Sequence, residues 1–114
     1  MRTNFNMENE NITMVRGDTL SFNVEVTDEN GEAVTVDSAD FTCKKNAMGE
    51  ENIFHKSLGA GIEQDGVLLT VRVAPNDTKD VEAGRYFYDL QLGVGDDVYT
   101  PMIGVLAIEQ DVTN

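Results

Sequence analysis

From Leu20 to Thr27, apolar and polar residues alternate without a break: Leu20, Phe22, Val24 and Val26 fall on one side of an extended chain, Ser21, Asn23, Glu25 and Thr27 on the other. A period of two belongs to a strand with one buried face; a helix would scatter the same apolar residues around its circumference. The pattern returns along the chain. Ala39, Phe41 and Cys43 alternate with Asp40, Thr42 and Lys44, and Ile53 to Leu58 alternates more weakly. Val67, Leu69, Val71 and Val73 then share one face, as do Tyr86, Tyr88, Leu90 and Leu92, and the β-branched content favours strand over helix. Turn signals separate these runs: Asp28-Glu29-Asn30-Gly31, where Asn-Gly supplies positive φ, the Met48-Gly49-Glu50-Glu51 loop, Gln64-Asp65-Gly66, and Gly93 to Asp97. Val98 to Ile108 runs back as a long apolar strand that completes a hairpin. Pro75-Asn76-Asp77-Thr78 predicts one helical turn, with Asp77 or Thr78 capping Val81 and its neighbours and Gly84 ending it. No longer amphipathic helical stretch exists, so about seven to eight short strands predict an antiparallel β-sandwich.

The 114 residues suit one core. A polar, asparagine-rich N-terminal arm, residues 1–11, precedes a single domain over residues 12–114. The arm holds no apolar run of the length a signal peptide or membrane helix requires, which leads us to expect a chain made in the cytoplasm of the producing cell. Twenty-one acids against eight bases give a net charge of -13. Phosphate backbones and anionic lipid surfaces repel such a chain, so nucleic acid and membrane are poor partners. Cys43 is the only cysteine, which excludes an intrachain disulfide and a thiolate metal site, and its place in an alternating run reads as core.

Candidate chemistry is sparse. Arg16-Gly17-Asp18 spells the integrin-recognition triplet, but it stands directly before a strand, where Gly17 allows a bend and Asp18 or Thr19 satisfies backbone donors. The acidic loops at Asp28-Glu29, Glu50-Glu51, Asp77 with Asp80, and Asp96-Asp97 carry no full calcium ligand set and read as solvated turns. His55, the only histidine, has no nucleophile or orienting acid whose placement follows from spacing. There is no tryptophan to stack a sugar, and Gly59-Ala60-Gly61 leads into Ile62-Glu63 rather than into a phosphate-binding helix. No catalytic residue, cofactor site or metal site is expected.

Glu82-Ala83-Gly84-Arg85-Tyr86-Phe87-Tyr88 resembles the start of the sixth strand of immunoglobulin domains, with Tyr88 where the disulfide cysteine would stand. The resemblance implies a tyrosine corner, in which Tyr86 buries its ring and returns its hydroxyl to backbone in the preceding loop. Arg16-Gly17-Asp18-Thr19 leading into Phe22, Gly84 to Leu92, Thr100, Gly104 and the closing Asp111-Val112-Thr113 together resemble the immunoglobulin-like domain at the N-terminus of bacteriophage upper baseplate proteins, and related small phage tail and head domains. That resemblance implies an immunoglobulin-like β-sandwich in a virion, without catalysis or cofactor, whose partners are other virion structural proteins or copies of itself. The alternative is an immunoglobulin-like module that binds carbohydrate or a host-surface protein. An enzyme is the third possibility.

The final hairpin breaks the alternation. If Tyr86, Tyr88, Leu90 and Leu92 face the core, Phe87 points outward. In the partner strand Tyr99, Pro101, Ile103, Val105 and Ala107 form a second apolar face behind Val98, Met102, Leu106 and Ile108. A strand apolar on both faces is covered on both, so Phe87, Tyr99, Ile103 and Val105 are expected to form a protein interface, the competing cover being residues 1–11. Pro101 places this strand at an edge or at a bulge.

Overall fold

The computed structural model describes residues 8–9, 11–46 and 51–111. Most of the polar arm, the Met48-Gly49-Glu50 loop, and Val112 and Thr113 lie outside the described residues. Among the described residues nine strands form: β1 (Glu8–Asn9), β2 (Ile12–Val15), β3 (Leu20–Glu25), β4 (Ser38–Lys44), β5 (Asn52–Leu58), β6 (Gly61–Asp65), β7 (Leu68–Val73), β8 (Gly84–Val94) and β9 (Asp97–Glu109), with one helical turn, α1 (Pro75–Thr78). The chain is all-β, as the alternation requires.

Hydrogen bonding links the strands in the order β1-β9-β8-β4-β5-β6-β7-β3, with β2 also against β9. The expected antiparallel arrangement needs correction, because the sheet is mixed. Both β1 and β2 run parallel to β9, and β5 meets β6 in parallel at Ser57 opposite Gly61 and Leu58 opposite Ile62. Periodicity reports which face of a strand is buried and says nothing of a neighbour's direction. At the β5/β6 corner the reversal is local: Gly59 and Gly61 take φ of 87° and 103°, where a side chain would be strained, and Gly59 N–H donates to Ile62 C=O at 2.8 Å.

The sheet curls back on itself around one core. Phe41 on β4, wholly buried, meets Phe22 of β3 at a ring-centroid distance of 5.4 Å, although β3 is at the far end of the strand order. Phe54 at 5.9 Å and Tyr88 at 5.4 Å complete the ring cluster. Ala39, Phe41 and Cys43, then Leu69, Val71 and Val73, then Tyr86, Tyr88, Leu90 and Leu92 are all buried, as their periodicity predicts. Val67 is the exception, exposed in the β6–β7 turn. Leu20, Phe22 and Val24 are only half-buried, because β3 ends the sheet.

The connections follow the turn chemistry with two differences. In the turn after β3, Gly31 alone takes positive φ, 81°, while Asp28 Oδ1 accepts the N–H groups of Asn30 (2.8 Å) and Glu32 (3.0 Å), so Asn30 does not need the left-handed conformation. The helical turn lies one step earlier than its expected caps: Pro75 opens it, Asp77 Oδ2 accepts Ala74 N–H at 2.7 Å, and the buried Thr78 hydroxyl accepts Gly17 N–H at 2.9 Å. Tyr86 behaves as its motif implies. Its ring is buried and its hydroxyl donates to Glu82 C=O.

Candidate docking face

The β8–β9 hairpin carries the candidate face. Leu90 stands opposite Met102, but Leu92 stands opposite Tyr99, so between these pairs β9 holds one residue more than β8. The extra residue makes a β-bulge at Thr100-Pro101, an interruption of the ladder of the kind where proline is tolerated. Directly opposed antiparallel residues share a face. Tyr99 therefore lies on the side of the buried Leu92, and the expectation that it joins Phe87 on the outer face is wrong. Strict alternation placed it outside, and the bulge reverses every residue before Pro101. Val98 becomes the outward residue instead, 68% exposed.

Phe87, Ile103 and Val105 do come together on the outer face. Phe87 stands opposite Val105, and Ile103 opposite Asp89, the next outward residue of β8. Phe87 and Ile103 are each 42% exposed, large apolar side chains that the fold leaves in contact with water, while Val105 is half-buried. On the β4 side, Lys44 stands opposite Phe87 and Thr42 opposite Asp89. These residues line a shallow depression of about 130 Å³ with Phe87 and Ile103 on its wall. The described part of the arm does not lie over it. Glu8 and Asn9 pair edge-on with Met102 and Ile103, and Asn11 Oδ1 accepts Val105 N–H at 3.3 Å, which widens the sheet rather than covering its face.

A second, polar depression of about 340 Å³ adjoins it, lined by Asp40, Thr42, Lys44, Asn52, His55 and Asp89 among others. His55 Nε2 lies 2.8 Å from Asp40 Oδ1, both side chains well exposed. Spacing could not show this pair. The register places Thr42 directly opposite His55, so Asp40 reaches it diagonally across two strands. Burial pushes the Asp89 carboxyl above the ordinary carboxylate range, with Lys44 opposing and Asp40 adding to the rise.

The Arg-Gly-Asp triplet is tied into the fold. Arg16 donates from Nε and Nη2 to Asp111 Oδ1, at 3.1 and 2.9 Å, and from Nη1 to Val81 C=O at 3.4 Å. With Gly17 held by Thr78 and Asp18 N–H on Val15 C=O at 3.0 Å, the Arg-Gly-Asp triplet is a clamped turn, not a protruding tip. The hydrogen bond from Arg16 holds the Asp111 carboxyl below the ordinary range, against a smaller opposing effect of burial. A carboxyl with a lowered folded pKa favours the native state above its unfolded pKa and loses that contribution as pH falls through the folded value. An NMR titration is therefore expected to place Asp111 below a free aspartate, and Arg16→Ala to raise it. Among the described residues, no three His, Cys, Asp or Glu side chains cluster closely enough to hold a metal ion, and no helix is long and apolar enough to cross a membrane. The chain matches no known protein-family model and no curated protein.

Proposed function

We propose that this chain is a bacteriophage virion structural module, an immunoglobulin-like β-sandwich that works by docking onto neighbouring virion proteins through the outer face of the β8–β9 hairpin. What supports a sandwich is the narrow junction within the single mixed sheet: β5 and β6 pair at just two residues, so β9-β8-β4-β5 and β6-β7-β3 can be taken as its two layers. The virion assignment rests on the sequence resemblance. One observation carries the docking role, the exposed apolar cluster of Phe87 and Ile103 flanked by Val105.

The test is Phe87→Ser, measured for thermal stability and for co-assembly into virus particles. Because Phe87 is 42% exposed, stability is expected to change by less than about 1 kcal/mol, while losing a central aromatic anchor weakens docking by about 2–4 kcal/mol. Full co-assembly with stability lowered by several kcal/mol would identify Phe87 as an internally covered core residue and remove the interface.

A second proposal, carbohydrate binding, draws on the adjacency of the Phe87 ring to the polar depression, since Thr42, Lys44 and Asp89 line both. Glycan-array binding by the purified chain, lost in Phe87→Ser, would favour it over virion docking.

A further inference from the structure

We propose that a second copy of this chain adds its β3 antiparallel to β3, joining the two sheets across a twofold axis on the layer opposite the docking face. Among the described residues, β3 has a strand neighbour on one side only. Val26 N–H donates to Val67 C=O at 2.8 Å, which fixes the phase of the β3–β7 ladder: Leu20, Phe22 and Val24 turn their backbone groups to β7, and Ser21, Asn23 and Glu25 turn theirs to the open side.

Exposed edges are ordinarily blunted by shortness, proline, lysine or a bulge. At the other end of the sheet, β1 and β2 are two and four residues long. Strand β3 is six residues of Leu-Ser-Phe-Asn-Val-Glu, with no proline, no bulge and a single charge at its end. In a chain of net charge -13, whose copies repel one another, this is an edge two copies can share with little charge opposed.

The strand is complementary to itself. In the register centred on Phe22, Ser21 of one copy stands opposite Asn23 of the other, and each such pair exchanges two backbone hydrogen bonds through the outward groups just assigned. The same register sets Phe22 opposite Phe22 in the closely spaced position without backbone bonds, Leu20 opposite Val24, and Glu25 opposite Thr19. The half-buried inner face of β3 then gains apolar cover at all three positions. A shared-edge interface of this kind is isologous and closes at two copies.

Sedimentation of the full chain across a concentration series is the experiment. A reversible species of twice 12.5 kDa is expected by roughly 0.1–1 mM, the weak range fitting a small interface, and it should tighten as salt screens the net charge. Ser21→Pro removes an N–H that the monomer does not use and is expected to abolish the dimer with an unchanged melting temperature. Thr19→Glu sets like charges opposite Glu25 twice per dimer and should raise Kd, while Thr19→Lys should lower it, each by roughly two- to thirtyfold. A chain that stays monomeric at about 1 mM overturns the proposal and leaves β3 to a strand from a different protein. A dimer that persists in Ser21→Pro, or that Phe87→Ser dissolves, equally overturns it.

Discussion

Replacing Phe41 with alanine is expected to lower the free energy of unfolding by about 3–5 kcal/mol, read from the shift of the urea midpoint at constant slope. Phe41 is wholly buried, and its ring meets Phe22, Phe54 and Tyr88, which come from β3, β5 and β8. Truncation removes the apolar transfer of a whole ring and leaves a hole that surrounding strands, fixed by their ladders, cannot collapse to fill. The loss is also topological. The Phe22–Phe41 contact ties the end of the sheet back onto its middle, so the variant should show early exchange of β3 and β7 amides. A total stability of 5–15 kcal/mol is common for single domains, so the variant would stand near the edge of folding. Val98→Ala is the matched control, since Val98 is 68% exposed and should change stability by less than about 0.5 kcal/mol. A loss below about 1 kcal/mol on Phe41→Ala would mean that the two halves of the sheet are not held together at this ring.

The second large effect is chemical. Cys43 is wholly buried, and burial pushes its thiol up to about 12 from 9.0. Since the thiolate is the nucleophile, that rise cuts the reactive fraction near pH 8 by about a thousandfold before access is considered. Ellman's reagent is expected to label the native chain at least that much more slowly than the chain in denaturant. Rapid native labelling would show that β4 opens far more readily than its packing allows. The same shift has a stability consequence. A folded pKa above the unfolded one means the native state holds its proton longer, so this contribution is fully present below about pH 9 and is lost as pH rises toward 12. Cys43→Ala should flatten that part of the alkaline stability profile.

The fold class was legible because alternation is a direct record of burial. Every residue from Ala39 to Cys43 and from Tyr86 to Leu92 follows its period, and the Tyr86 motif foretold a particular hydrogen bond. Strand direction was not legible, since β2 beside β9 or β9 beside β2 in either sense presents the same alternation. The candidate docking face was legible in part. Phe87, Ile103 and Val105 betrayed themselves as apolar residues on the wrong face, but Tyr99 could be placed only by locating the bulge. Pro101 marked a bulge or an edge without saying which. The His55–Asp40 pair was hidden for a different reason: it is a diagonal contact between strands 15 residues apart, and its existence depends on a register that only the assembled sheet sets.

The parallel pairing of β2 with β9 decides how the molecule responds to being pulled. The two strands lie side by side and point the same way, Ile12 beside Leu106 through Val15 beside Glu109. Tension drawing the start of β2 and the end of β9 apart acts along the strand axes in opposite senses, so it slides one strand past the other rather than peeling them from one end. The ladder bonds are then strained together, along with the Arg16 N–H bond to Glu109 C=O at 2.8 Å and the Arg16–Asp111 ion pair that locks the end of the seam. Peeling breaks bonds one at a time at low force; sliding requires several to fail at once. A module strung between two neighbours through these strands would therefore transmit load as a stiff link, yielding abruptly rather than gradually.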